Sequence, residues 1–127
     1  EPVDLVIVNL GSNDMLRGLD PGLAHENLKQ ILEKLEARRI PTLLVGHLGP
    51  LNYGAEYKAQ YDRAFQDLAA RYDVEFYPFF FKTLMAPDGV TPDLQNYFQA
   101  DGLHPNAEGV AAVVADMGPY VLRALNR

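Results

Sequence analysis

Two short stretches hold residue types that could do chemistry. Asp101-Gly102-Leu103-His104-Pro105-Asn106 places a carboxylate three residues before an imidazole, with a glycine between them. A tight turn there can seat the carboxylate on Nδ1 of His104, which fixes the tautomer and leaves Nε2 free as a general base. Gly11-Ser12-Asn13-Asp14 directly follows an apolar run. These are the residues of an ordinary strand-to-helix turn. They also allow a second reading, in which Gly11 lets a substrate approach closely and the Asn13 amide donates a hydrogen bond to an oxyanion. His25 falls in the first turn of a helix on a solvent face, and His47 begins a loop. Neither is singled out for a role. Three histidines so widely separated make a poor metal site.

The elements that must position these residues alternate between strand and helix. Residues 3–10 form a nearly continuous β-branched and aliphatic run, the pattern of a parallel strand covered on both faces. Asp20-Pro21-Gly22 signals a helix start, and Leu23, Leu28, Ile31, Leu32 and Leu35 trace one face of that helix. Residues 40–46 predict a second strand, and 47–54 a loop rich in Gly and Pro. A helix follows over 55–72, its stripe of Tyr57, Tyr61, Ala64, Phe65, Leu68, Ala69 and Tyr72 reading as core. Residues 74–80 predict a third strand, and 81–100 a loop with a helical turn or two. From Asn106 a terminal helix carries Val110, Val113, Val114, Met117, Val121, Leu122 and Leu125 on one stripe, with a kink expected at Pro119. Such alternation predicts one α/β domain with a parallel sheet, whose strand ends carry the chemistry.

Composition narrows the partners. The 127 residues include 17 acidic and 11 basic side chains, for a net charge of −6 and no basic cluster. That balance speaks against nucleic acid or an anionic membrane surface. No cysteine is present, so disulfides and thiolate chemistry are excluded. No apolar run approaches the roughly 20 residues of a membrane span. A nucleotide or receiver domain would want a phosphate-cradling glycine loop or an acidic cluster after its first strand, and Gly11-Ser12-Asn13-Asp14 offers neither.

Taken together the two stretches resemble the SGNH (GDSL-type) hydrolase family. Gly11-Ser12-Asn13-Asp14 resembles its third conserved block, and Asp101-Gly102-Leu103-His104-Pro105-Asn106 its fifth. The loop Gly46-His47-Leu48-Gly49-Pro50-Leu51-Asn52-Tyr53-Gly54 is similar to the substrate-covering loop of the arylesterase, acyl-thioesterase I and lysophospholipase L1 branch, with His47 where the family usually has Met. Val74-Glu75-Phe76-Tyr77-Pro78-Phe79-Phe80 also resembles that branch. The resemblance implies a three-layer α/β/α sandwich with a flavodoxin-like parallel sheet, no cofactor, and cleavage of carboxylic esters or thioesters through an acyl-enzyme. It implies Asp101 as orienter, His104 as base and Asn13 as oxyanion donor. Gly11, Leu48, Pro50 and Asn52 would bind substrate, with Leu51 and Tyr53 adding to an apolar acyl site. A periplasmic or secreted location is implied as well.

One part of the family pattern is missing. Its nucleophile sits in a Gly-Asp-Ser block near the N-terminus, and a second block supplies an oxyanion glycine; neither occurs here. Ser12, the only serine, stands beside the oxyanion asparagine rather than in a nucleophile block. The expectation is therefore an SGNH domain lacking its N-terminal strands, whose serine comes from a segment absent from this chain. The alternative is a non-catalytic binding or assembly module of the same fold. In the strand order 2-1-3-4-5 the family's first strand would lie beside residues 3–10. Without it, 3–10 is an exposed edge that should pair with the missing segment or with a second copy.

Overall fold

The apolar runs form a parallel three-stranded sheet in a computed structural model that describes residues 2–127. The strands are β1 (Val6–Val8), β2 (Thr42–Val45) and β3 (Glu75–Tyr77), ordered β1-β2-β3. Val8 pairs with Leu44, and Leu44 with Phe76. Between β1 and β2 lie the short α1 (Ser12–Leu16) and the long α2 (Pro21–Ala37); between β2 and β3 lies α3 (Ala55–Arg71). α4 (Leu94–Tyr97) and α5 (Ala107–Leu125) follow β3.

Successive strands advance in one direction, so right-handed crossovers put α2 and α3 on the same face. Val8 and Leu44 pack there against Leu28 and Leu32 of α2 and Phe65 and Leu68 of α3. The opposite face presents Leu43, Val45 and Tyr77 to Met117, Val121 and Ala124 of α5. The result is three layers, α/β/α, with β2 buried on both sides. Each of its aliphatic side chains contributes about 1.5–3 kcal/mol by leaving water. Among the described residues no helix is long and apolar enough to cross a membrane.

Three expectations change. Ser12, Asn13 and Asp14 belong not to an open turn but to α1, which Met15 anchors in the core. α5 continues through Pro119 as one helix; proline removes one backbone donor, and packing of the flanking Met117 and Val121 holds the rest. The tyrosines of α3 are not purely core. Tyr57 and Tyr61 both donate their hydroxyl protons to the Leu19 carbonyl, at 2.6 and 3.1 Å, and so tie the segment after α1 to α3.

The third change concerns the terminal stripe. Val113 is buried, but Val110, Val114 and Leu122 are exposed. α5 covers β2 and β3 and leaves the outer side of β1 open, so Ile7 is 47% exposed. A groove of about 620 Å³ runs there between Ile7 and the α5 residues Val114, Met117, Pro119, Val121 and Leu122.

Candidate active site

The strand ends converge on one cavity of about 480 Å³. Asn9, Ser12 and Asn13 reach it from the end of β1, His47, Leu48 and Pro50 from the end of β2, and Phe79, Phe80 and Phe81 from the end of β3. Leu103, His104 and Pro105 close it from the loop before α5. Topology explains the convergence, because parallel strands all end on one side of the sheet.

The Asp101–His104 turn is built as its spacing suggests. Asp101 Oδ1 accepts the backbone N–H of Leu103 at 2.9 Å and of His104 at 3.0 Å. Its Oδ2 lies 2.6 Å from His104 Nδ1. The hydrogen bond to the His104 ring, then the two backbone donors, hold the Asp101 carboxyl down to about 2. The carboxylate is thus ionised at any ordinary pH, Nδ1 carries a proton, and Nε2 is left free to accept one. The His104 side chain is 71% exposed.

Backbone ties hold this exposed pair in place. Gln99 N–H donates to the His104 carbonyl and Asn106 N–H to the Tyr97 carbonyl, both at 2.8 Å. Asn106 then caps α5 by accepting from Gly109 N–H at 2.9 Å, while its amide donates to Asn96 O at 3.0 Å. The loop is stapled on both sides of the imidazole.

Asn13 owes its place to Gly11. Gly11 has φ 109°, a left-handed conformation that favours glycine, and a Cβ there would come within 3.2 Å of the Phe65 ring. The chain therefore bends sharply out of β1 into α1, and Asn13 projects into the cavity wall. No hydrogen bond to protein occupies its side-chain amide among the described residues.

Of the other residues expected to bind substrate, Leu48 and Pro50 line the cavity; Gly11 and Asn52 do not. Asn52 is exposed, as are Leu51 and Tyr53. The Tyr53 hydroxyl donates instead to Leu16 O at 3.2 Å, so it braces α1. Among the described residues no three His, Asp or Glu side chains converge as a metal site requires.

Sequence reading passed over His47, which the structure places in the cavity wall and leaves only 6% exposed. Its Nε2 lies 2.7 Å from Asn9 Oδ1. Gly46 makes this possible: its N–H donates to Tyr77 O, its carbonyl accepts from Phe80 N–H, and a Cβ would sit 2.2 Å from the Pro78 oxygen. A polar residue ending each of two adjacent strands was the available signal.

Burial pushes the His47 imidazole down from 6.5 to about 4. The unfolded chain takes up this proton near pH 6.5, whereas the folded protein resists it until about pH 4. Stability is then complete above pH 6.5 and falls by about 3 kcal/mol as the pH drops through that window. Urea unfolding of the full-length protein at pH 7 and pH 4.5 should show this acid loss, and His47→Gln should remove it. An equal loss in the variant would show that His47 is not held neutral.

Residues 1–112 match the GDSL-like lipase/acylhydrolase family. The chain belongs to that family. This GDSL-like chain is 34% identical over 103 residues to the thioesterase 1/protease 1/lysophospholipase L1 of Escherichia coli K12, a match covering 81% of this chain and 46% of the relative. It therefore spans about half the length of that relative. A crystal structure of TesA superposes with a TM-score of 0.81 and 30% identity, covering 95% of this chain and 63% of its own. AlinE4, an SGNH-hydrolase family esterase, superposes with a TM-score of 0.68 and 43% identity, covering 96% and 61%. The fold is that of the SGNH hydrolases.

Proposed function

We propose that the full-length protein is a serine esterase that hydrolyses carboxylic esters or thioesters through an acyl-enzyme, with its nucleophilic serine supplied by a segment outside residues 1–127. The observation that carries this reading is the 2.6 Å contact between Asp101 Oδ2 and His104 Nδ1 on the cavity that Asn13 also lines. His104 Nε2 takes the serine proton as the oxygen attacks the acyl carbonyl. Asn13 donates to the oxygen that becomes negative. Asp101 stabilises the imidazolium, which then gives its proton to the leaving alcohol or thiol. Water, deprotonated by the same imidazole, releases the acid and regenerates the serine. Leu48, Pro50, Phe79, Phe80 and Leu103 offer the acyl chain an apolar wall. The thioesterase and lysophospholipase activities named for the E. coli relative support this substrate class.

Ser12 is a poor nucleophile candidate. It opens α1, and no hydrogen bond joins it to His104 among the described residues. The same reading gives the open side of β1 a purpose: the segment carrying the serine pairs along β1 and covers Ile7, Val114 and Leu122. A second copy of the chain is the competing occupant of that edge.

The test is hydrolysis of p-nitrophenyl esters and acyl thioesters by the full-length protein. Asn13→Ala should lower kcat by on the order of 10²–10³ and leave KM about unchanged, as for a donor acting in the transition state. A change in KM alone would make Asn13 a substrate-positioning group. No hydrolysis of either ester class would overturn the reading and favour a binding module.

A further inference from the structure

The backbone ladder between β1 and β2 ends at the Val8–Leu44 pair. Beyond it the chain must still be aimed, because the turn at Gly11 decides where Asn13 points. Among the described residues, no backbone hydrogen bond ties Asn9 or Leu10 to the neighbouring strand. The connection that continues past the ladder is a side-chain one, Asn9 Oδ1 to His47 Nε2 at 2.7 Å.

We propose that His47 is a positioning residue which, through Asn9, holds the Gly11 turn and so aims the Asn13 amide, a role that rests on the oxyanion function proposed for Asn13. His47 suits that role because it cannot swing away. Its ring is buried and tilted against two others, Phe65 at 5.8 Å and Phe80 at 5.9 Å. Phe65 also lies against Gly11, so His47 and the turn share one packed support. The imidazole lies two residues beyond β2, whose residues are all buried, which gives it a rigid base. With Asn9 Oδ1 as acceptor, the proton sits on His47 Nε2 and the Asn9 amide has one orientation. An apolar side chain at position 47 could fill the space but could not donate that bond. Asn9 would then be free to rotate, and the turn it precedes would lose its last lateral tie.

The experiment compares His47→Met, which keeps bulk without a donor, with His47→Gln, whose amide reaches about as far as Nε2. Asn9→Ala and the Asn9→Ala/His47→Met double variant complete the cycle, all in the full-length protein. In ester hydrolysis His47→Met and Asn9→Ala should each lower kcat about tenfold with KM within about twofold, and the double variant should be no worse than either. His47→Gln should stay within about threefold of wild type. Amide exchange at Met15, whose N–H donates to Gly11 O at 3.2 Å, should quicken in His47→Met and not in His47→Gln, with α5 unchanged. Unchanged kcat and exchange in His47→Met, additive losses, or equal losses in Met and Gln variants would overturn the proposal. If the wild-type protein hydrolyses no ester, the esterase reading fails, and Met15 exchange alone still decides whether His47 holds the turn.

Discussion

His104→Ala is expected to lower kcat of the full-length protein by on the order of 10⁴ or more, the largest effect of any single substitution in this chain. Among the described residues no other side chain on the cavity offers a free, proton-accepting nitrogen backed by a carboxylate. Asp101→Asn should be nearly as damaging, for a reason visible in its contacts. Oδ1 is occupied by the backbone N–H groups of Leu103 and His104, so an amide would keep its oxygen there and turn its NH₂ toward Nδ1. A donor facing Nδ1 forces the ring proton onto Nε2, which removes the base. Because Asp101 titrates only at about 2, the acid limb of the pH–rate profile should come from another group, and in Asp101→Asn the loss should persist at every pH. Steady-state rates with a p-nitrophenyl ester decide it. Either variant keeping more than about a twentieth of wild-type kcat would remove the Asp–His pair from the mechanism.

The second large effect concerns residues 1–127 on their own. Under the proposed function they should hydrolyse no ester, and activity should return when a polypeptide carrying the serine segment is added. The structural half of this expectation follows from β1. It is an edge strand with unpaired N–H and C=O groups on its outer side, and neither a lysine nor an internal proline protects it. Ile7 on the strand, with Val110, Val114 and Leu122 on α5, adds exposed apolar surface beside that edge. The isolated chain should therefore self-associate until the segment covers the edge. Light scattering showing a cooperatively unfolding monomer would contradict the structural expectation. Fluorophosphonate labelling of Ser12 in the isolated chain would contradict the catalytic one, since it would place the nucleophile within these residues.

How much was legible beforehand follows from how local each feature is. The Asp101–His104 contact spans three residues, so one turn's chemistry specifies it, and the turn forms as its residue types suggest. α2 and α3 were readable because their apolar positions repeat with the helical period and Asp20 caps the first of them. Residues 40–46 were readable as a strand, and β2 is that strand. The coverage on both faces that the apolar run at 3–10 suggested belongs to β2 instead, since Ile7 on β1 is exposed.

Contacts between distant residues were not legible. Asn9 and His47 are 38 positions apart, and only the register of β1 against β2 brings the two strand ends together. The same register decides that Leu48 and Pro50 face the cavity while Asn52, two residues on, does not. α5 shows the limit most clearly. Its apolar stripe is continuous in sequence, yet Val113 is buried and Val114 is exposed, because the sheet beneath the helix ends at β1. Sequence alone determined which residues are apolar, which turn carries the carboxylate and imidazole, and in what order strands and helices come. Tertiary structure decided which apolar surfaces are covered and which polar groups meet, because burial and hydrogen bonding depend on partners that chain order does not specify.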